Sequence, residues 1–327
     1  MAANIYYPIL ILLLFVVEEI YFLIAKRCHI IDRPIERSSH HKPTICGGGI
    51  IFWVSVLFYL SMNAGQWGEY GLFFVALTLI GGISFIDDVR EVGMLPRLFI
   101  HFASLGLLLA QWGLTESAPW WYMLIVIVFG TGTINAYNFM DGVNGMTAGY
   151  SAVILVLLAY INEYALPEPF VEEGLLHSVM LAVLVFSYYN FRNHPRCFAG
   201  DVGAVSIAFI IIFLLGKLIL QTGNYTYLTF LTVYGVDSVL TIVHRIILHE
   251  NIAQPHRMHL YQMLANEGGW KHTSVSALYA TLQAVIGVGL LAIPTAWGYY
   301  YFTIVLTVLC IAYVILVRKY FPLQKLK

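Results

Sequence analysis

Eleven apolar segments, each close in length to a bilayer crossing, run through the chain and exclude most other folds. A transmembrane helix needs about 20 mostly apolar residues, and such windows lie near residues 5–25, 46–62, 70–86, 97–113, 119–134, 146–162, 174–190, 202–220, 226–243, 274–292 and 297–317. Only 11% of the 327 residues are charged, about half the share found in soluble domains. The sequence therefore predicts an all-α, polytopic membrane helical bundle.

The basic residues predict how this bundle is oriented. If the chain crosses the membrane eleven times, 16 of its 17 lysines and arginines, all but Lys217, lie on one side of the membrane. Because basic connections stay in the cytoplasm, we expect the N-terminus outside, the C-terminus in the cytoplasm, and a multi-pass protein of the inner (plasma) membrane. The first segment lacks the basic start and cleavage site of a signal peptide, so we expect it to be retained as a span.

Nothing in the sequence indicates a second domain. No linker, repeat or low-complexity tract interrupts residues 1–327, which we interpret as a single integral membrane domain. The four cysteines are scattered without a C-x-x-C pair, so we expect reduced or buried thiols. The net charge of −1 gives no indication of a nucleic-acid partner.

The polar stretch Asn135-Ala-Tyr-Asn-Phe-Met-Asp-Gly-Val-Asn-Gly-Met146 lies between two apolar segments. Its Asp-Gly and Asn-Gly dipeptides are typical of a tight turn between two helices. A turn alone leaves unexplained why further amide and carboxylate side chains lie at the end of a membrane helix, where polar groups cost free energy. We therefore interpret the stretch as part of a functional site.

Two further groups of acids lie on the same predicted side. Asp87 and Asp88 end one span, and adjacent helical residues point about 100° apart, so we expect them to serve different ligands, one a cation and one a substrate proton. A solvated helix end is the alternative. Asp201 begins another span, where it is either a helix cap or, with Asn138, a ligand for Mg²⁺.

Cations and imidazoles occupy the long connection after residue 243. His256, Arg257 and His259 follow Pro255, and they indicate either a pyrophosphate clamp or a basic loop that contacts anionic lipid. A zinc site is disfavoured because no cysteine or carboxylate completes a usual ligand set. The Gly47–Gly49 run favours close helix packing over a phosphate cradle.

The acids, amides and cations thus converge at the level of lipid headgroups, a combination suited to moving a phosphosugar from a soluble nucleotide onto a lipid phosphate. A cation-coupled transporter is the alternative from another class. Transporter ion sites usually lie near the bilayer midplane between repeated halves, and no repeat is visible here.

Four motifs in register resemble the polyprenyl-phosphate N-acetylhexosamine-1-phosphate transferases, or glycosyltransferase family 4. They are Asp87-Asp88, Asn135-x-x-Asn138-x-x-Asp141-Gly-x-x-Gly145, Gly200-Asp-Val-Gly203 and the loop His256-Arg-Met-His259. The resemblance covers roughly residues 26 to 265. It implies a Mg²⁺-dependent membrane enzyme, with Mn²⁺ as an alternative ion, that transfers a HexNAc-1-phosphate from a UDP-HexNAc to undecaprenyl phosphate on the cytoplasmic face and releases UMP. The product would start a lipid-linked glycan such as O-antigen or capsule, and a homodimer is compatible with the family.

The resemblance also implies a role for individual residues. It assigns Mg²⁺ to Asn138 and Asp201, and the base acting on the lipid phosphate to Asp87, with Asp88 beside it. It assigns phosphate and pyrophosphate contacts to Arg97, His256, Arg257 and His259. It assigns the nucleotide to Asp141, Gly142, Asn144 and Phe198.

The chain departs from the family pattern at two places. Many members read Asp-Gly-x-Asp-Gly, whereas the second acid is Asn144 here. The GlcNAc enzymes usually carry H-x-H-H, whereas His256-Arg-Met-His259, together with Ser38-Ser-His40 and Pro43-Thr44, is closer to the branch that starts O-antigen and capsule repeats. The donor sugar therefore stays open between GlcNAc and the N-acetylated fucose or quinovose sugars.

Overall fold

The computed structural model describes residues 3–34, 42–252, 254 and 256–324, apart from the side chains of residues 3, 4, 323 and 324. Some residues considered in the sequence analysis lie outside this described part: the Ser38–His40 segment, Pro255, Arg37, Lys325 and Lys327. The protein is almost entirely helical, which confirms the predicted fold class.

Thirteen α-helices form the described part of the chain. They are α1 Ala3–Cys28, α2 Ile50–Met62, α3 Trp67–Val89, α4 Met94–Gln111, α5 Leu114–Ser117, α6 Trp120–Met140, α7 Met146–Tyr160, α8 Glu173–Asn190, α9 Gly200–Thr222, α10 Thr232–Ile247, α11 Leu260–Asn266, α12 His272–Ala292 and α13 Gly298–Gln324. Short 3-10 turns (Ala64–Gln66, Tyr225–Leu231, Thr295–Trp297) and a π turn (Ile161–Ala165) extend several of them. The antiparallel strands β1 Ile31–Asp32 and β2 Thr44–Ile45 pair in the first connection.

Each of the eleven predicted spans overlaps one long helix. Within the described residues, nine helices are long and apolar enough to cross a bilayer, so the protein is a multi-pass membrane protein. The other two predicted spans are α2, which has only 13 residues because it begins after Gly47–Gly49, and α8 with 18 residues. The count of eleven crossings stays a prediction.

Helix α9 is the centre of the bundle. About 89% of its most apolar window is buried, against 22% for α13, and it packs against α2, α3, α6 and α7. The outer helices instead expose large apolar side chains such as Leu23 and Val128, as expected of surfaces that face lipid. The N-terminus of α9 is therefore fixed by protein on several sides.

The five polar connections predicted to share a side do meet at one end of the bundle. Gly48 N–H donates to the Phe198 carbonyl at 2.9 Å, which joins the first connection to the fourth. Thr273 donates to the Asn193 side chain at 3.2 Å, which joins the fourth to the fifth. At the opposite end, Lys217 pairs with Glu69 at 2.6 Å. The bundle thus brings together loops that are far apart in sequence.

Two elements differ from the sequence prediction. The segment from Asn135 to Met140 continues α6, and only residues 141–145 form the turn. The apolar face of α6 continues through Ala136, Tyr137 and Met140, which are buried, so tertiary packing extends the helix into the polar stretch. Helix α11 was not predicted, because seven residues are too few to give a helical pattern.

Candidate active site

The N-terminus of α9 forms the base of the site. Asp88 at the end of α3 accepts the backbone N–H of Asp201 at 2.8 Å and that of Val202 at 2.9 Å. The first N–H groups of a helix have no partner inside it, so the Asp88 carboxylate caps α9 from a neighbouring helix. Gly200 has a φ of +71°, and a Cβ there would lie 2.7 Å from Asp88 Oδ2. Glycine is therefore required at this position.

Arg97 joins two further carboxylates. One guanidinium nitrogen pairs with Asp87, and the other lies 3.0 Å from Asp201 Oδ2. Asp87 also accepts the Val92 N–H at 2.7 Å, which folds the turn between α3 and α4 over the site. The Asp87 and Asp201 carboxyl groups lie close together, because both contact the same guanidinium group. Two carboxylates so close require a positive charge or a shared proton, and Arg97 supplies the charge.

Asp87 and Asp88 therefore have different partners, as their positions on the helix predict. Asp88 has one more neighbour that sequence reasoning missed. The Cys46 thiol lies 3.3 Å from Asp88 Oδ1, and burial raises the pKa of this thiol, so it stays protonated and donates. All four cysteines are free, as expected, but nothing in their spacing indicated that one of them would contact a site aspartate.

The C-terminal end of α6 contributes the amide and carboxylate of the polar stretch. Asp141 accepts a hydrogen bond from the Thr147 hydroxyl at 2.6 Å, and its carboxylate lies near the Gly200 backbone N–H. Burial raises the pKa of Asp141 to about 7, with a smaller contribution from the Asp88 carboxylate. Asp141 thus connects the end of α6 to the start of α9.

Asn138 lies one turn before Asp141, whose N–H donates to the Asn138 carbonyl at 3.3 Å. The side-chain amide of Asn138 has no hydrogen-bond partner among the residues described. Asn138 and Asp201, the two predicted metal ligands, therefore belong to the two helix ends that Asp141 joins. They make no direct hydrogen bond to each other in the described part of the chain, and their role as metal ligands stays a prediction.

The histidine loop packs against this same helix end. The ring centre of Phe139 lies 6.3 Å from that of His256 and 5.8 Å from that of His259. Tyr261 donates to the Phe139 carbonyl at 2.7 Å, and a Cβ on Gly142 would lie 2.2 Å from the Tyr261 hydroxyl. The structure thus brings His256 and His259 beside the Asn138–Gly142 segment. Arg257 is half-buried on the same loop, 4.0 Å from Glu267.

The residues predicted to hold the nucleotide do not all share one surface. Asp141 and Gly142 lie in the site. Asn144 is only 4% exposed, and its amide donates to the backbone carbonyls of Arg192 at 2.9 Å and Asn193 at 3.4 Å. Phe198 donates its N–H to Ile45 at 2.8 Å. Asn144 and the Phe198 backbone therefore brace the loops around the site.

The Gly47–Gly49 run packs closely against the start of α9, as favoured from sequence. A Cβ on Gly49 would lie 2.3 Å from the Gly203 Cα. The N–H groups of Gly48 and Gly49 donate to the carbonyls of Phe198 and Ala199. These groups are already paired, so they do not form a phosphate cradle.

Asp237, in the middle of α10, is the second residue that sequence reasoning missed. It is 2% exposed and accepts the backbone N–H groups of Leu260 and Tyr261 at the start of α11. The signal in the sequence is a lone acid inside an apolar span, which by itself indicates a functional or structural partner. Its partner, however, is a loop more than twenty residues away.

The oxygen donors at the helix ends are of the chemical type that Mg²⁺ binds. Among the described residues, no group of three or more His, Cys, Asp or Glu side chains has metal-binding geometry. Mg²⁺ usually takes one or two protein oxygens and completes its shell with water and substrate phosphates. The crowded carboxylates of Asp87 and Asp201, balanced only by Arg97 within the described set, are the type of donor this ion prefers.

The structure is that of a helical membrane protein with clustered acids and a histidine loop at one end of its bundle. Comparison with known proteins shows which family it is similar to. A profile of the family described as glycosyl transferase family 4 matches residues 70–219. This range contains Asp87, Arg97, Asn138 and Asp201. The matched residues make up just under half of the chain, so the finding is a similarity to this family.

Individual relatives show similarity over different shares of the chain. A putative UDP-N-acetylglucosamine--dolichyl-phosphate N-acetylglucosaminephosphotransferase of Sulfolobus acidocaldarius is 30% identical over 175 residues, 50% of this chain and 52% of that protein. A probable undecaprenyl-phosphate N-acetylglucosaminyl 1-phosphate transferase of Bacillus subtilis is 24% identical over 289 residues, 82% of this chain and 79% of that protein. An undecaprenyl-phosphate alpha-N-acetylglucosaminyl 1-phosphate transferase of Thermotoga maritima is 21% identical over 311 residues, 90% of this chain and 91% of that protein. The matched region thus spans about half of the archaeal relative and most of the two bacterial ones.

Proposed function

We propose that the protein transfers an N-acetylhexosamine-1-phosphate from a UDP-sugar to undecaprenyl phosphate, releases UMP, and so starts a lipid-linked glycan at the cytoplasmic face of the membrane. The observation that carries this proposal is the bridge from Asp87 through Arg97 to Asp201, beside the histidine loop. Phosphoryl transfer depends mainly on positioning and on neutralising charge. The site offers both within one helix-end cluster.

The donor pyrophosphate has cationic and hydrogen-bonding partners on two sides. Arg97 lies on the carboxylate side, and His256 with Arg257 lies on the loop that packs on Phe139. Hydrogen bonds from charged groups to phosphate are stronger than neutral ones. The two sides together favour a diphosphate over a single phosphate group.

An apolar cavity beside the site supports a lipid acceptor. It has a volume of about 560 Å³ and lies between α6, α10 and α13, with Phe139 at the end nearest the histidine loop. Val239 in its wall is 58% exposed, so the cavity opens to the outside of the bundle. A polyprenyl chain entering there would bring its phosphate to the acids.

The reaction we favour is direct attack. A lipid phosphate oxygen bonds to the phosphorus that carries the sugar, the bond from that phosphorus to the bridging oxygen breaks, and UMP leaves with the electron pair. Asp87 accepts the proton of a singly protonated lipid phosphate. Asp88 is held by two backbone N–H groups and Asp87 by Arg97, which disfavours either as a covalent nucleophile.

Mg²⁺, with Mn²⁺ as a substitute, is the cofactor we propose, held by Asn138 and Asp201. When bound, such an ion neutralises charge on the transferred phosphate. Other residues of the chain hold the two proposed ligands in place. Asp88 caps the helix that carries Asp201. Asp141, in the turn that follows Asn138, lies near the start of the same helix.

The direct test uses detergent-purified protein with undecaprenyl phosphate, Mg²⁺ and a panel of UDP-HexNAc donors. We expect UMP release and a lipid-linked product with at least one donor, which also identifies the sugar. A related GlcNAc transferase serves as the positive control. No product and no binding of UDP by the protein would refute the proposal.

Two variants test the assigned roles. Asp201→Asn should lower turnover by about 100-fold or more and weaken the response to Mg²⁺, whereas Asp87→Asn should lose turnover and keep UDP-sugar binding. Glu163→Gln, at the opposite end of the bundle, is the matched control and should stay near wild type. Because an asparagine oxygen can itself bind Mg²⁺, the decisive variant is Asp201→Ala, and normal turnover of that variant would exclude Asp201 as a metal ligand.

The transporter alternative has no support in the structure. The acids of the site cluster at one end of the bundle, where Asp88 and Asp141 are both tied to the start of α9, and transporter ion sites usually lie near the midplane. A flux assay in proteoliposomes with the active donor would detect transport.

A further inference from the structure

Asp237 is a buried carboxylate that none of the roles above uses. It lies in α10, is 2% exposed, and accepts the Leu260 N–H at 2.9 Å and the Tyr261 N–H at 3.2 Å. The Tyr279 hydroxyl donates to it at 2.6 Å and the Thr241 hydroxyl at 3.2 Å. A buried charge is costly unless it is fully paired, so this number of donors shows a built arrangement around one side chain.

The same carboxylate faces His259 of the histidine loop. His259 Nδ1 lies 3.4 Å from Asp237 Oδ1. The imidazole is only 2% exposed and lies between Phe139 and Tyr261, with ring-centre distances of 5.8 Å to each. Both ring nitrogens, Nδ1 and Nε2, are buried without a hydrogen-bond partner among the described residues, and Nδ1 has only the ion-pair contact with Asp237. A buried polar atom of this kind normally has a partner, and a ligand would provide one.

We propose that Asp237 is a positioning residue, which fixes the start of α11 and orients His259 so that Nε2 is presented to a phosphate oxygen of the donor. The inference rests on the proposed function, since it names the group that His259 would contact. The hydrogen bond or ion pair made by one imidazole nitrogen determines what the other can do. Asp237 therefore acts on the substrate through His259.

The position of Asp237 also connects the loop to the cavity. Its neighbours Val236 and Ser238 line the apolar cavity between α6, α10 and α13. One turn of α10 thus borders the proposed lipid path and holds the proposed phosphate ligand. This places the two substrates on either side of the same helix.

A double-mutant cycle tests whether Asp237 acts through His259. Asp237→Asn keeps the shape and an oxygen acceptor but removes the charge, and we expect kcat/KM for the donor to fall about 10- to 100-fold, with the larger part in KM. His259→Gln should give a comparable or larger loss. The double variant should fall no more than about threefold below His259→Gln, because coupled residues are not additive.

Tyr279→Phe is the matched control. It removes one hydrogen bond to Asp237 but leaves the charged carboxylate facing His259, so kcat/KM should fall clearly less than in Asp237→Asn. The inference would be overturned if the loss in the double variant equalled the product of the two single losses. Near-normal turnover of Asp237→Asn would also overturn it. The melting temperature of each variant separates these effects from general misfolding.

Hydrogen exchange provides a measurement that needs no substrate. In Asp237→Asn, we expect faster amide exchange in peptides covering residues 256–264 and unchanged exchange in those covering 141–147. If wild-type protein shows neither turnover nor UDP binding, the proposed function fails. The exchange of residues 256–264 then decides this inference alone, and unchanged exchange overturns it.

Discussion

Arg97 is the residue on which the charge balance of the acidic cluster depends. It contacts Asp87 and Asp201, which come from different helices and whose carboxyl groups are brought together by this shared contact. The family resemblance predicted Arg97 as a phosphate contact. The structure shows a second task, since without Arg97 the two acids would repel each other.

Arg97→Gln should therefore lower turnover by about 100-fold or more, because it removes a positive charge aimed at both the acids and a phosphate. The exposed Arg90, in the turn between α3 and α4, is the matched control, and Arg90→Gln should change kcat/KM by less than about twofold. Steady-state kinetics with the active donor measures both. Equal effects of the two changes would show that only the overall charge of the loop matters.

Asp141 predicts a pH dependence of stability. Its folded-state pKa of about 7 lies above the usual value of about 3.9, so the folded protein binds the proton more tightly than the unfolded chain. The contribution of Asp141 to the free energy of unfolding is therefore highest below about pH 4, and it declines as the pH rises from about 4 to about 7. Asp141→Asn does not titrate, so its melting temperature should rise relative to wild type between pH 5 and pH 8.

Thermal unfolding in detergent at the two pH values measures this difference. Thr147→Val sharpens the test, because it deletes a hydrogen bond that holds the Asp141 pKa down, and it should steepen the decline of the otherwise wild-type protein. A difference between Asp141→Asn and wild type that is the same at both pH values would contradict the assignment.

At the scale of elements, the apolar windows predicted the long helices well. They could not predict the tertiary contacts of the site. Window length and hydropathy are local properties, so α3 and α9 follow from them. The contact of Cys46 with Asp88 and that of Asp237 with α11 join residues separated by 42 and 23 positions. Such pairs depend on how helices pack, which periodicity does not specify.

The packing of α2 against α9 makes a prediction at this scale. A Cβ on Gly203 would lie 2.6 Å from the Gly49 Cα, so Gly203→Ala should destabilise the protein by about 1 to 3 kcal/mol. Gly82 in α3 has open space around it, so Gly82→Ala should be neutral or stabilising by up to about 1 kcal/mol. Melting temperatures of the two variants compare them. A stable Gly203→Ala protein would mean that the backbones separate easily.

At the scale of the whole molecule, the charge distribution predicts which end faces the cytoplasm. The connection with Arg192 should be inside and that with Glu168 outside. In a background where the native cysteines are replaced, Arg192→Cys should react with a membrane-impermeant thiol reagent only after permeabilisation, and Glu168→Cys should react in intact cells. The reverse pattern would invert the predicted orientation and move the site to the other face.

The burial of α9 has a consequence for how the protein tolerates different membranes. A helix that touches little lipid does not need to match the thickness of the surrounding hydrocarbon, whereas exposed helices adjust by tilting. Since α9 is buried and α13 is mostly exposed, thicker or thinner bilayers should tilt the outer helices and leave the depth of the acidic cluster nearly constant. The protein thus sets the depth at which the phosphate of the proposed lipid acceptor binds, and the surrounding bilayer adjusts its thickness to that depth.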